Sequence, residues 1–241
     1  MIVFGTSPYR PEGRRIDMET PVRIALEVGY RHFDVAEMYG NELAVGRALR
    51  SAPRNELQII GKVWRTNFRP EHLLRACKDS LARLGIDAFD LYLLHAPEAW
   101  RHVAPLDDAE VIGWEELERR ALPREDTLDD VPLQETWNAM RGLIDAGLTR
   151  EIGVSNFTPR QIETLREHQP SANQIPCWPF DESVIAWHAR RGIRVFGYSP
   201  LQREKLASSG VPDLLHQLLQ SGIVPVTSSA NPEHIRQSFI A

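Results

Sequence analysis

The sequence predicts an α/β fold, a (β/α)8 barrel in a single domain over residues 1–241, and three observations predict it. Eight short runs rich in β-branched and aromatic residues recur along the chain. Each is followed by a longer stretch with apolar residues three and four apart, the period of an amphipathic helix. No G-x-G-x-x-G turn follows the first run, as a doubly wound dinucleotide-binding sheet would require. The length of 241 residues agrees with the ~250 typical of such barrels.

Strands are expected at 2–7, 31–36, 57–64, 89–96, 150–157, 172–177, 194–201 and 223–229. IVFGTS and RHFDVA are short apolar runs that end on or near a polar residue. LQIIGKVW and FDLYLLHA are nearly continuous apolar runs, as expected of parallel strands buried on both faces. REIGVSNF, ANQIPC, RVFGYSPL and IVPVTSS repeat the form, each with polar residues toward its C-terminal end. Helices are expected at 18–29, 41–50, 69–85, 133–147, 158–169, 181–192, 212–222 and 231–241, and Gly29, Gly85, Gly147, Gly192 and Gly222 mark C-terminal stops. Only 97–132 is too long for an ordinary strand-to-helix connection. It is rich in charge and proline and follows the fourth strand, which assigns it to the C-terminal mouth of the barrel as a lid or specificity loop.

Composition narrows the function. A net charge of −5 gives no global attraction to nucleic acid or anionic membranes. The N-terminal apolar run is too short for a signal peptide, and nothing approaches the roughly 18 apolar residues of a membrane span, so a cytoplasmic protein is expected. Cys77 and Cys177 lie far apart without paired metal spacing, and buried reduced thiols are the expectation. The histidines form no HxH or HExxH group, so no metal site is expected.

Polar residues recur where the strands end: Thr6, Asp34, Lys62, His95, Ser155 with Asn156, Gln174, Tyr198 with Ser199, and Ser228 with Ser229. Each alone has a bland reading. Asp34 would cap the next helix, Lys62 would snorkel, and His95 would be a hydrogen-bonded core histidine. Together they read differently, because an uncompensated buried charge costs several kcal/mol and these residues can compensate one another. Tyr39, five residues after Asp34 in HFDVAEMYGNE, has an ordinary pKa near 10, and a nearby ammonium favours its phenolate. Lys62 can supply that charge, Asp34 can hold Lys62, and neutral His95 can orient the oxygen that receives the proton. Trp64, Trp100 and Trp114 are candidate pocket residues, with packing as the alternative.

GYRHFDVAEMYGNELAVGRAL, IIGKVW, DLYLLHAP, REIGVSNF, NQIPC and FGYSPL, in that order, resemble the aldo-keto reductases. The resemblance runs from about Gly5 to Phe239. It implies a TIM barrel binding a nicotinamide cofactor, NADPH or NADH, at its C-terminal mouth, with a catalytic tetrad of Asp34, Tyr39, Lys62 and His95. Ser155, Asn156 and Gln174 would bind the nicotinamide carboxamide, Tyr198 would stack on the ring, and Ser199 and Leu201 would lie along the pyrophosphate. Gly5 and Thr6 belong to the same cofactor-facing rim. Ser228, Ser229, Asn231 and His234 fall at the adenosine end.

The departures from the family pattern are informative. Ser7 and Ala96 stand where many members have tryptophan, which implies a wider pocket. The chain stops at SFIA before the family's C-terminal loop, which shifts specificity toward 97–132. Ser228 and His234 replace the lysine and arginine that grip a 2′-phosphate, so only a slight preference for NADP(H) is expected. The functional expectation is reduction of an aldehyde or ketone, a small-molecule carbonyl substrate, with Tyr39 as proton donor. Two alternatives use the same fold: a non-redox isomerase, dehydratase or cyclase, and a barrel that senses cofactor or meets a protein partner.

Overall fold

Eight parallel strands close on themselves in chain order, β1 pairing with β8. They are β1 (Val3–Gly5), β2 (His32–Asp34), β3 (Gln58–Val63), β4 (Phe89–Leu94), β5 (Thr149–Ser155), β6 (Ala172–Pro176), β7 (Arg194–Tyr198) and β8 (Ile223–Thr227). In the computed structural model the described residues are 1–8, 16–102, 128–179, 181–201 and 210–240. Among them the helices are α1 (Glu19–Val28), α2 (Glu42–Leu49), α3 (Pro70–Leu84), α4 (Leu133–Asp145), α5 (Pro159–Ile162), α6 (Glu182–Arg190), α7 (Val211–Gln220) and α8 (Pro232–Gln237).

Strand alternation builds two apolar layers. One face of the strands supplies the inner cluster of Val3, Ile60, Leu91, Leu93, Ala172, Phe196 and Val226. The other face, with Phe4, Phe33, Ile59, Val63, Tyr92, Leu94, Ile152 and Val154, joins the larger cluster shared with the helices. Gly153 is required by the inner packing: a Cβ there would lie 2.6 Å from the Ala172 carbonyl oxygen and 2.7 Å from Leu93 Cδ2. Gly61 on β3 is fixed by the ring of Phe89, which a Cβ would meet at 2.5 Å. At the N-terminal end of the strands, Asp90 ties β3, β4 and β5 together. It accepts from the Ile59 N–H at 2.8 Å and from Arg54 and Arg150 at 2.8 and 2.7 Å.

Every expected strand is present, but all eight end before the expected C-terminal boundary, so Thr6, His95, Asn156, Ser199, Ser228 and Ser229 lie in the loops just beyond the pairing. The fifth helix is a correction. A helix over 158–169 was expected from the apolar spacing, whereas α5 holds four residues. Thr158 and Gln161 form a capping box that starts it. The Thr164 hydroxyl then takes the Gln161 carbonyl at 2.7 Å, Leu165 N–H bonds back only three residues to Ile162, and Glu167 turns to φ 68.

Most of 97–132, with Trp114, lies outside the described residues. Its two ends meet: Trp100 bridges Leu128, and Asp129 N–H donates to the Ala99 carbonyl at 3.1 Å. Arg69 fastens the return with a two-pronged pair to Asp129 at 2.8 and 2.5 Å. His102 stacks face to face on His72 at 3.4 Å between ring centroids and its Nδ1 lies 3.1 Å from the Thr66 carbonyl, so it packs the segment down rather than lining a pocket.

Candidate active site

The site is built at the C-terminal ends of β2, β3, β4 and β6. Asp34 ends β2 and Lys62 sits one residue before the end of β3, both turned inward and almost wholly buried. Lys62 Nζ donates to Asp34 Oδ1 at 2.5 Å and to the Val35 carbonyl at 3.3 Å. Gln174 Nε2, from β6, donates to Asp34 Oδ2 at 2.7 Å. Asp34 therefore caps no helix; both its oxygens are spent inside the barrel. Burial pushes the Lys62 ammonium below its ordinary range, and Asp34 opposes that shift by charge and hydrogen bond.

Tyr39 is carried by a short 3-10 turn, Glu37–Tyr39, that leaves β2 and closes at Gly40 in the left-handed region, φ 57. That turn sets its ring against Lys62, whose Nζ lies 5.2 Å from the ring centroid. His95, one residue beyond β4, packs edge-on to Tyr39 at 6.0 Å. Its Nδ1 is buried without a hydrogen-bond partner among the described residues. Desolvation first, then the Lys62 and Arg65 charges, hold His95 well below the usual histidine range, so it is a neutral imidazole at pH 7. The four residues expected to act together are thus contiguous.

Around them the other expected residues divide. Thr6 donates to the Asp34 carbonyl at 2.9 Å, and Gly5 sits where a Cβ would crowd Val226 and the Thr227 carbonyl. Ser155 donates to the Gln174 carbonyl at 3.0 Å. Asn156 is exposed in the left-handed region at φ 63, donates to the His95 carbonyl at 3.0 Å and accepts from the Tyr198 hydroxyl at 3.0 Å. Ser199 also stands at positive φ, 52. Leu201 is partly buried against the main core. Ser228 and His234 are exposed, Ser229 Oγ accepts from the Asn231 N–H at 3.1 Å, and Asn231 caps α8 by accepting from Glu233 N–H at 2.9 Å. Trp64 packs edge-on to His95 at 5.1 Å and to Trp100 at 5.5 Å, which brings two of the expected pocket tryptophans together beside His95.

Residues 1–214 match the model of the Aldo/keto reductase family. The chain belongs to the aldo-keto reductase family. Aldo-keto reductase family 1 member A1 of Pongo abelii is 34% identical over 276 residues, covering 99% of this chain and 80% of its own. The Sus scrofa counterpart is 33% identical over 215 residues, covering 83% of this chain and 62% of its own length, and for the Cricetulus griseus counterpart the match spans 57% of the relative. In structure, the aldose reductase of Schistosoma japonicum aligns with TM-score 0.80 at 32% identity, covering 99% of this chain and 81% of that one. A Bombyx mori aldo-keto reductase in complex with NADP aligns with TM-score 0.82 at 29% identity, covering 98% and 82%.

Two residues of this aldo-keto reductase site had not been expected from the sequence. Arg65 follows Trp64 in the 3-10 turn Arg65–Asn67. Glu37 opens the turn that carries Tyr39; it accepts from the Trp64 N–H at 2.9 Å and from Asn67 Nδ2 at 2.5 Å, pinning the exit of β3 to that turn. Burial pushes its carboxyl up to about 7, helped by Glu42 and opposed by the Trp64 N–H, Arg83 and Asn67. The native state then holds this proton more tightly than the unfolded chain, whose carboxyl titrates near 4.5, so stability falls as pH rises from about 4.5 to about 7. Glu37→Gln cannot ionise. Its melting temperature relative to the wild type should climb by about 2 °C or more between pH 5 and 8, read by thermal denaturation. A difference that stays constant with pH would show that Glu37 does not titrate there.

Proposed function

We propose that this chain reduces an aldehyde or ketone to an alcohol with a reduced nicotinamide cofactor. The observation that carries the reading is the contiguity of Lys62 with Asp34 at 2.5 Å, with the Tyr39 ring at 5.2 Å, and of Tyr39 with neutral His95. The rim from β5 to β7 fits a flat carboxamide-bearing ring. Tyr198 offers a partly exposed aromatic face held by Asn156, and Asn156 and Ser199 both stand in the left-handed region at this rim. Bombyx mori aldo-keto reductase, similar over most of its length, is described in complex with NADP, which favours the same ligand class here.

In this reading the bound reduced nicotinamide supplies the hydride. Tyr39 donates its phenolic proton to the carbonyl oxygen as the carbon is reduced, so that C=O becomes CH–OH. Lys62 stabilises the negative charge left on the phenolate, and Asp34 keeps the Lys62 ammonium charged and in place within the barrel. His95, unable to carry a charge at neutral pH, orients the carbonyl by a hydrogen bond. Trp64 and Trp100 form the apolar wall beside it. Ser228, Ser229, Asn231 and His234 would lie at the adenosine end, with Ser228 and His234 at the positions where the family pattern has a lysine and an arginine.

Tyr39→Phe should lower carbonyl turnover by about a hundredfold or more while the cofactor dissociation constant moves less than about twofold, because the change removes a proton donor and no cofactor contact. Reduced-cofactor absorbance and fluorescence titration measure the two quantities. Undiminished reduction would remove Tyr39 from the mechanism, and product formed without consumption of cofactor would favour the non-redox reading. Dissociation constants for NADPH and NADH should differ by less than about a hundredfold, roughly 2.7 kcal/mol. A larger gap would mean that a fixed cation holds the phosphate.

A further inference from the structure

Of the proposed reacting group, Tyr39 stands farthest from a strand, five residues past the end of β2, whereas the His95 N–H still reaches the Val63 carbonyl of β3 at 3.2 Å. Pairing between β2 and β3 runs out at Asp34 and Ile60, with one further bond from the Val35 N–H to the Ile60 carbonyl at 2.8 Å. The turn that follows closes on itself, the Tyr39 N–H donating to the Ala36 carbonyl at 3.0 Å and the Gly40 N–H to the Glu37 carbonyl at 3.1 Å. Those bonds shape the turn without fixing it over β3. After the turn, Asn41 Nδ2 anchors the chain to the Thr6 carbonyl at 2.8 Å, on the side of β1. Before Tyr39, the Glu37 carboxyl crosses to the exit of β3, to the Trp64 N–H at 2.9 Å and Asn67 Nδ2 at 2.5 Å. Tyr39 lies two residues after one end of that tie and Lys62 two residues before the other, so the tie brackets the contact of the Tyr39 ring with the Lys62 ammonium at 5.2 Å.

We propose that Glu37 is a positioning residue: its carboxyl sets the turn of Tyr39 over the strand of Lys62, and so the proton donor over the charge that supports it. This role rests on the reading of Tyr39 as the donor in carbonyl reduction. Among the described residues Glu37 has no ion pair, because the cations around it are spent elsewhere. Arg83 of α3 pairs with Glu42 of α2 at 2.7 Å, Lys62 with Asp34, and Arg65 with Glu98 at 3.5 Å. The other titratable groups within its field are Cys77 of α3 and Tyr92 of β4, neither of them a cation. Burial and the neighbouring Glu42 hold the carboxyl neutral up to about 7. A neutral acid accepts from the Trp64 N–H with one oxygen and donates its O–H to Asn67 once that amide presents its oxygen. Glutamine reproduces both bonds. An ionised Glu37 instead sets an unpaired charge near Glu42, which favours opening of the turn to water.

The test follows benzaldehyde reduction with NADPH on the full chain, together with amide hydrogen exchange at Tyr39 and Gly40. Glu37→Ala should lower kcat about tenfold or more with KM within about threefold, because the donor is misplaced and the pocket is not. Glu37→Asp, whose carboxyl stops one methylene short, should do the same and serves if the alanine variant does not fold. Glu37→Gln should keep kcat within about threefold of wild type at pH 6, and its kcat relative to wild type should rise about threefold or more by pH 8.5, a ratio in which the titration of Tyr39 itself cancels. Asp90→Asn, which loosens a buried tie at the other end of the barrel, should lower the melting temperature and leave kcat within about threefold. Exchange at Tyr39 and Gly40 should quicken about tenfold or more in the alanine and aspartate variants and not in the glutamine variant. Alanine and aspartate variants that keep kcat within threefold, or a glutamine variant as slow as they are, overturn the positioning role, and a ratio flat with pH overturns the part played by the proton. If wild type reduces no carbonyl compound, the reduction reading fails, and exchange alone decides whether Glu37 holds the turn.

Discussion

The ion pair between Lys62 and Asp34 inside the barrel is the constraint on which the rest of the site depends. An ammonium buried among Ile60, Leu91 and Leu93 cannot persist without a partner, and Asp34 meets it at 2.5 Å. The carboxylate in turn needs its second oxygen satisfied, and Gln174 reaches it from the far strand β6 at 2.7 Å. One buried charge thus ties three strands together. The barrel makes this possible because its inward positions come from different strands at neighbouring heights, so groups 28 and 140 residues apart become hydrogen-bond partners.

From that buried pair outward the side chains are partly exposed, apart from Trp100, which is buried. Tyr39 lies over Lys62 on a short turn whose geometry is held by Glu37, and His95 packs against Tyr39 with its charge suppressed by desolvation and by Lys62. Beyond His95 come Trp64, Arg65 and Trp100, then the fastened ends of the segment that follows β4. No helix among the described residues is long and apolar enough to cross a membrane. In the proposed reduction, the chemistry would sit at the loop-bearing mouth while the charge that supports it is locked in the rigid core.

The barrel itself could be read from alternation, because inward and outward strand faces and helical spacing are local patterns. Asp34, Lys62 and His95 stood out for the same reason: a polar residue in an apolar strand is a local anomaly. Glu37 and Arg65 were hidden, since each sits in a three-residue turn where backbone dihedrals, not spacing, decide which side chain turns inward. The bond from Gln174 to Asp34 has no local signature at all: Gln174 stood out as a polar residue at a strand end, and only the family resemblance gave it a role, as a ligand of the carboxamide. The fifth helix was overread because TPRQIETLREHQ keeps helical spacing past the point where Thr164 diverts a carbonyl and the chain turns at Glu167.

A double-mutant cycle across the buried pair tests the account most directly. Urea denaturation and turnover would be measured for Asp34→Asn, Lys62→Met and the double variant. Each single change should cost about 3–5 kcal/mol by stranding its partner, whereas the double variant should be more stable than the sum predicts by about 2 kcal/mol or more, yet remain inactive. Costs that add to within about 0.5 kcal/mol, or turnover that returns in the double variant, would contradict the claim that this pair exists to hold a charge for catalysis.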